Sequence, residues 1–214
     1  MAEGKGSRVG AGRHTVLGCA PLSNMYLQEW IPVSRVRTCG NFEHSDMSLW
    51  SFQSMKFLGA LHKGRRMYAS WGAVAPTDVI AYRWMARQML DRGMTDIVVP
   101  PIWAWHSCGA PGRPPTRDTW CSLHPTRPAD AQVLLELRVP CERALLSYYG
   151  IWNDLVFLRS PADLEANGVR EVDAQRMFDV QLDSQPWDDE NYFDVQASMP
   201  FVHFSWIRSI SSVL

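Results

Sequence analysis

No stretch of this 214-residue chain is apolar over anything near the roughly 20 residues that a membrane-spanning helix needs. The N-terminus also lacks the apolar core of a secretory signal, which predicts a cytoplasmic protein with no membrane partner. Neither sign of charge is in excess: 21 basic side chains face 22 acidic ones, for a net charge of −1. A large nucleic-acid footprint is therefore not expected, and only a local basic patch remains open. The five cysteines, Cys19, Cys39, Cys108, Cys121 and Cys141, are odd in number and irregular in spacing. They make no disulfide framework, in keeping with a reducing compartment. Gly4-Lys5-Gly6 and Gly10-Ala11-Gly12 fit neither dinucleotide nor phosphate-loop spacing. Leu146-Ser147-Tyr148 is no nucleophile elbow, so serine hydrolysis has no motif behind it.

Tryptophan is what the chain has in excess. There are ten, eight of them between Trp50 and Trp187. Indoles bury large areas and suit cores, interfaces and stacking surfaces better than linkers. Hydrophobic residues make up 46% and charged ones 20%, an ordinary globular balance, and the length suits one domain with an appendage.

The appendage is expected at residues 1–46. Met1 to Gly18 is rich in Gly, Arg and Ser and has no hydrophobic period, which predicts a poorly structured extension. Met47 precedes Ser48-Leu49-Trp50-Ser51-Phe52, which reads as a first strand, so Met47 is the expected functional start. Residues 47–214 are predicted to form one α+β domain. Ser54 is placed to cap a helix over Met55–His62, with Gly64 to end it. A second helix runs from Pro76 to Gly93, with Ile80, Ala81, Trp84, Met85 and Met89 as its apolar stripe and Arg87 one turn from Asp91. Asp96–Trp105 reads as a strand broken by Pro100 and Pro101, with Trp103 and Trp105 on one face. Gly109–Asp130 is a long Pro- and Gly-rich loop. Val133–Val139, Ala144–Tyr149, Tyr192–Ala197 and Phe201–Ile207 read as strands. Ser160 and Gly168 bracket another helix, and Arg176–Val180 is a short apolar piece. The expected total is about six mostly antiparallel strands and three or four helices.

Two kinds of site stand out. His106, Cys108, Cys121 and His124 have the side chains of a tetrahedral zinc site, although one intervening residue in the first pair is tighter than usual. The same loop allows a Cys108 nucleophile with a histidine base, without a marked orienting group. The second kind is a tryptophan-lined pocket. Trp50, Trp103, Trp105 and Trp152 lie beside the polar residues Gln53, His106, Ser147 and Asn153, and convergent polar groups on an apolar wall are the usual form of a ligand site. The same residues also serve as ordinary core. Asp188-Asp189-Glu190 reads as a solvated loop, and Arg65-Arg66 as basic residues suited to a helix C-terminus.

Several ordered segments carry a resemblance. They are Trp50-Ser51-Phe52-Gln53, Gly59-Ala60-Leu61, Ala81 to Met89, Pro101-Ile102-Trp103-Ala104-Trp105, Leu145-Leu146-Ser147 with Trp152-Asn153, Met177-Phe178-Asp179 and Val195-Gln196-Ala197. Together they resemble a bacterial and phage family, the domain of unknown function numbered thirty-eight forty-one, over nearly all of 47–214 and none of 1–46. The family pattern does not require His106, Cys108, Cys121 or His124, and its aspartate after the leucine-leucine-serine segment is Tyr148 here. The resemblance carries no established activity.

Two functional expectations follow from the residues. One is a nucleotide-handling enzyme of ADP-ribosyltransferase type, by analogy of architecture, with NAD held in a tryptophan-lined cleft. Its candidate catalytic residues are Gln53, Ser147 and Gln196, and Trp50, Gln53, Tyr82, Trp103, Trp105, Ser147, Trp152 and Asn153 are the ligand-binding candidates. The other is a module without catalysis, in which the aromatic face binds a small molecule, a nucleotide or a protein partner.

Overall fold

The computed structural model describes residues 45–123, 132–182 and 194–213. The extension expected over 1–46 lies outside them, except for Ser45 and Asp46.

Alternation decides the first element. Along β1 (Asp46–Ser54), Met47, Leu49 and Ser51 are buried while Asp46 and Ser48 are exposed. Its antiparallel partner β4 (Gln132–Pro140) repeats the pattern with Val133, Leu135, Leu137 and Val139. Cross-strand register sets Leu49 opposite Leu137 and Ser51 opposite Leu135, so the two strands share one continuous apolar face. With β3 (Ile102–Ser107), β5 (Leu145–Tyr148), β6 (Val195–Met199) and β8 (Ile207–Ser212) they form a six-stranded antiparallel sheet in the order β5-β6-β3-β1-β4-β8. A two-residue ribbon pairs β2 (Arg66–Met67) with β7 (Val202–His203). The α+β class and the antiparallel sheet agree with the sequence reading.

The helices are more numerous than the three or four expected. Among the described residues there are six: α1 (Met55–Gly64), α2 (Val79–Asp91), α3 (Arg117–Leu123), α4 (Tyr149–Trp152), α5 (Pro161–Asn167) and α6 (Glu171–Phe178). The extra ones are short. α3 lies within the predicted long loop, and α6 overlaps the apolar piece expected over Arg176–Val180 only at residues 176–178; seven or eight residues give too few turns for a helical period to show. Ser54 caps α1 by accepting the Phe57 N–H at 3.1 Å. The left-handed residue that ends α1 is Arg65 (φ 60°) rather than Gly64. Pro76 opens a 3-10 turn ahead of α2, Gly93 (φ 72°) follows its end, and Arg87 pairs with Asp91 at 2.9 Å. Residues 96–101 are not a strand, since the two prolines remove consecutive ladder donors and pairing begins only at Ile102. Of the strand expected over Tyr192–Ala197, residues 192 and 193 lie outside the described ones and β6 starts at Val195; the last predicted strand divides into β7 and β8 about a 3-10 turn at Phe204–Trp206.

An aromatic layer joins helices to sheet. Trp103 on β3 meets Tyr82 of α2 at 5.8 Å and Trp152 of α4 at 5.1 Å between ring centroids. Trp84 lies 6.2 Å from Trp152 and stacks on Phe178 of α6 at 5.9 Å. Of these five rings Trp84, Trp152 and Phe178 are buried and Tyr82 and Trp103 half-buried, and each ring pair contributes about 0.5–1.5 kcal/mol beyond the area term.

A candidate ligand cavity at the bulged end of strand β3

Trp50, Trp105, Gln196 and Ser147 occupy one cross-strand row, paired in that order from β1 through β3 and β6 to β5. Residues in register point to one face of a sheet, so these four share a face. Gln53 does not join them. Three positions beyond Trp50 on an unbroken strand, it points to the opposite face, where its Nε2 donates to Ser51 Oγ at 2.8 Å. The Ser51 hydroxyl in turn donates to the Trp103 carbonyl at 2.7 Å. Ser147 is fully buried and accepts from Gln196 Nε2 at 3.2 Å. Tyr82, Trp103 and Trp152 are gathered in the aromatic layer, and Asn153 begins the π-helical turn Asn153–Phe157 that continues α4.

Departures from regular structure converge beside this row. Trp105 pairs with Gln196 and Ser107 with Val195, leaving His106 as the extra residue of a β-bulge. Bulges re-aim side chains and are over-represented next to active sites. The π-helical turn follows Tyr149–Trp152 directly, and such turns are rare and often functional. Gly109 sits at φ 70°, a conformation that L side chains seldom adopt. Its N–H donates to Asp194 Oδ1 at 2.6 Å, across 85 residues of chain.

The loop after β3 is tied at both ends. Cys108 N–H donates to the Arg113 carbonyl at 2.9 Å, and Gly112 N–H to Ser107 Oγ at 2.9 Å. Ser107 Oγ also meets His106 Nδ1 at 2.8 Å. Asp194 carries a second tie, because its carbonyl accepts the Tyr149 N–H at 2.7 Å. One residue thus fixes the β3 loop, the start of α4 and the entry to β6.

These ties frame a cavity of about 320 Å³ lined by Trp105, Cys108, Arg113, Thr119, Tyr149 and Asp194 among others. Trp105 and Tyr149 meet edge to face at 5.0 Å and give it an aromatic wall. Asp194 is only 5% exposed, and burial raises its carboxyl pKa above the usual value, against the Gly109 hydrogen bond and the Arg113 charge, which lower it. Burial likewise raises the Cys108 thiol, helped by the Asp194 charge, so the thiolate that nucleophilic chemistry needs is disfavoured. His106 is shifted down by burial and favours its neutral form.

His106, Cys108 and Cys121 lie in the described region, whereas His124 falls outside it. Among the described residues no group of three or more His, Cys, Asp or Glu could hold a metal ion. Arg113, Tyr149 and Asp194 were not singled out in the sequence. The one available signal was a lone acid at the mouth of an apolar strand, in Phe193-Asp194-Val195.

Fold and site together define an α+β domain with a polar, aromatic-walled cavity at the bulged end of an antiparallel sheet. The family model described as domain of unknown function (DUF3841) matches residues 48–166, more than half of the chain. The protein belongs to that family. The matched span holds Trp105, Arg113 and Tyr149 and ends before Asp194 and Gln196. No curated protein and no solved structure matches the chain. No helix of the described residues is long and apolar enough to cross a membrane.

Proposed function

We propose that the protein handles a nucleotide in this cavity, with group transfer of the ADP-ribosyltransferase type as its reaction class and NAD as its ligand. One observation carries the reading: an aromatic wall, a guanidinium and a buried carboxylate converge on one cavity. Trp105 and Tyr149 offer ring surface to a base or to nicotinamide. Arg113 suits a phosphate, which a planar guanidinium can grip with two parallel hydrogen bonds. Asp194 suits ribose hydroxyls as their acceptor. A carboxylate beside the ribose also favours the positive charge that grows on the sugar as nicotinamide leaves with the bonding electron pair. The incoming acceptor then bonds to the ribose carbon, and its proton passes to Asp194 or to solvent. Ligand pockets run from about 300 to 1,000 Å³. At about 320 Å³ the cavity stands at the small end of that range.

A binding module without catalysis is the second reading. It is favoured by the Ser147–Gln196 hydrogen bond, which occupies two expected catalytic side chains with each other. The odd, irregularly spaced cysteines support a reducing, cytoplasmic setting for either reading. The test is titration of the full chain with NAD, followed by tryptophan fluorescence and by chromatography of released nicotinamide. Saturable quenching with nicotinamide release, both weakened by Arg113→Gln, supports transfer. Quenching without release supports the module. A flat response overturns transfer and NAD binding alike and favours the module with a protein partner for its aromatic residues.

A further inference from the structure

We infer that the β2–β7 ribbon, on a different part of the chain from the cavity, is a docking point for single-stranded nucleic acid. The argument begins in the sequence. Residues 47–77 contain Lys56, Lys63, Arg65 and Arg66 and not one Asp or Glu; residues 195–214 contain Arg208 and again no acid. In a chain of net charge −1 these are two wholly uncompensated basic segments. The fold joins them, because Arg66 pairs in register with His203 and Phe204 N–H donates to the Arg65 carbonyl at 2.7 Å. Ion pairs among the described residues take up Arg87, Arg138, Arg159 and Arg170. Lys63, Arg65, Arg66 and Arg208 are exposed, and no described carboxylate comes within ion-pair distance of them.

The chemistry beside that charge is aromatic. The Arg66 guanidinium lies 4.4 Å from the centroid of Phe201, and Trp206 stacks on the same ring at 5.1 Å with planes 26° apart. Tyr68, at the exposed edge, approaches Phe201 to 5.6 Å and accepts from Arg66 Nη1 at 3.4 Å. Exposed cations next to stacked rings suit unstacked bases joined by phosphates, since bases stack on aromatic and guanidinium planes and the backbone pairs with the charge. A duplex hides its bases and is held by a longer electrostatic track than this near-neutral chain offers. The end of α1 is the negative pole of its dipole, so the basic residues there do offset it, but that role needs no aromatic stack.

The experiment uses the full chain and a fluorescein-labelled ten-nucleotide oligouridylate in an anisotropy titration at several salt concentrations. Contact with about three phosphates predicts a log–log salt slope near −2, from about −0.7 per phosphate on a single strand. The double variant Lys63→Gln/Arg66→Gln, both positions exposed, is expected to weaken binding at least about ten-fold, while Arg170→Gln at the residue preceding α6 leaves it unchanged. Thermal melts check that each variant is folded. Trp206→Leu is expected to lower affinity by about five-fold or more through lost stacking. Three outcomes overturn the inference: no saturable binding at low salt, equal binding after the double substitution, or equal affinity for a duplex of the same length.

Discussion

Asp194 accepts a hydrogen bond from the Gly109 backbone at 2.6 Å, joining the mouth of β6 to the loop that follows β3. Hydrogen bonds to charged groups contribute about 1.5–3 kcal/mol when one partner is removed. Asp194→Ala is therefore expected to lower stability by about that amount, read from chemical denaturation with an unchanged slope. Asp194→Asn keeps an acceptor oxygen toward Gly109 and should recover most of the stability. It also removes the charge facing the cavity, so NAD binding should weaken about ten-fold while the fold holds. An alanine variant as stable as the parent would show that the tie is dispensable.

His106 makes stability depend on pH. Burial lowers its pKa in the folded protein, so above the unfolded value of about 6.5 it is neutral in both states and its contribution is intact. As the pH falls through 6.5 toward the folded pKa, the unfolded chain takes up the proton first and stability drops. Asp194 works in the opposite sense. With a raised pKa, its contribution is full below the unfolded carboxyl value and is lost as the pH rises through the folded one. Between pH 7.5 and 5.5 the parent is expected to lose more Tm than His106→Gln. Parallel losses in calorimetry would remove His106 as the source.

The Ser147–Gln196 pair gives a sharper test of whether these residues act or merely pack. Both are buried, with the amide donating to the hydroxyl at 3.2 Å. Ser147→Ala deprives a buried amide of its acceptor, which costs about 1–3 kcal/mol. Ser147→Ala/Gln196→Leu removes both polar groups and is expected to cost less than the sum of the single variants. If nicotinamide release survives in any folded variant of the pair, Ser147 and Gln196 are structural. If the single variants stay folded and release vanishes, they belong to the chemistry.

The class and several element ends are legible in the sequence because those signals are local. Ser54, Pro76, Gly93 and Gly168 act within one turn of where they stand, and alternation in β4 needs only its own residues. The placement of the candidate site residues is legible in part for the same reason. Trp105 and Gln196 fall in one row because alternation and antiparallel pairing align them, whereas Gln53 points away because its parity along β1 is opposite to that of Trp50. Asp194, Arg113 and Tyr149 could not be united from sequence. Asp194 is 85 residues from Gly109, and only the β3–β6 pairing with its bulge at His106 brings them together. The short α3, which supplies one side of the cavity, has too few turns to declare itself.

Cysteine reactivity separates the wall of the cavity from the exposed side of α3. Cys108 is partly buried, and desolvation pushes its thiol pKa well up, while Cys121 on α3 is exposed. Because the thiolate is the reactive form, Cys121 is expected to alkylate at least about ten-fold faster than Cys108 in the folded protein at pH 8. Peptide mapping by mass spectrometry after timed exposure to iodoacetamide resolves the two sites. In denaturant the two rates should converge, since the difference lies in burial and not in the local sequence. Occupancy of the cavity by NAD should slow Cys108 further, because Cys108 lines it, and leave a cysteine outside it, such as Cys141, unaffected. A Cys108 that reacts as fast as Cys121 in the native state would mean that the loop after β3 opens readily, and that the ties through Gly109, Gly112 and Arg113 do not hold it in solution.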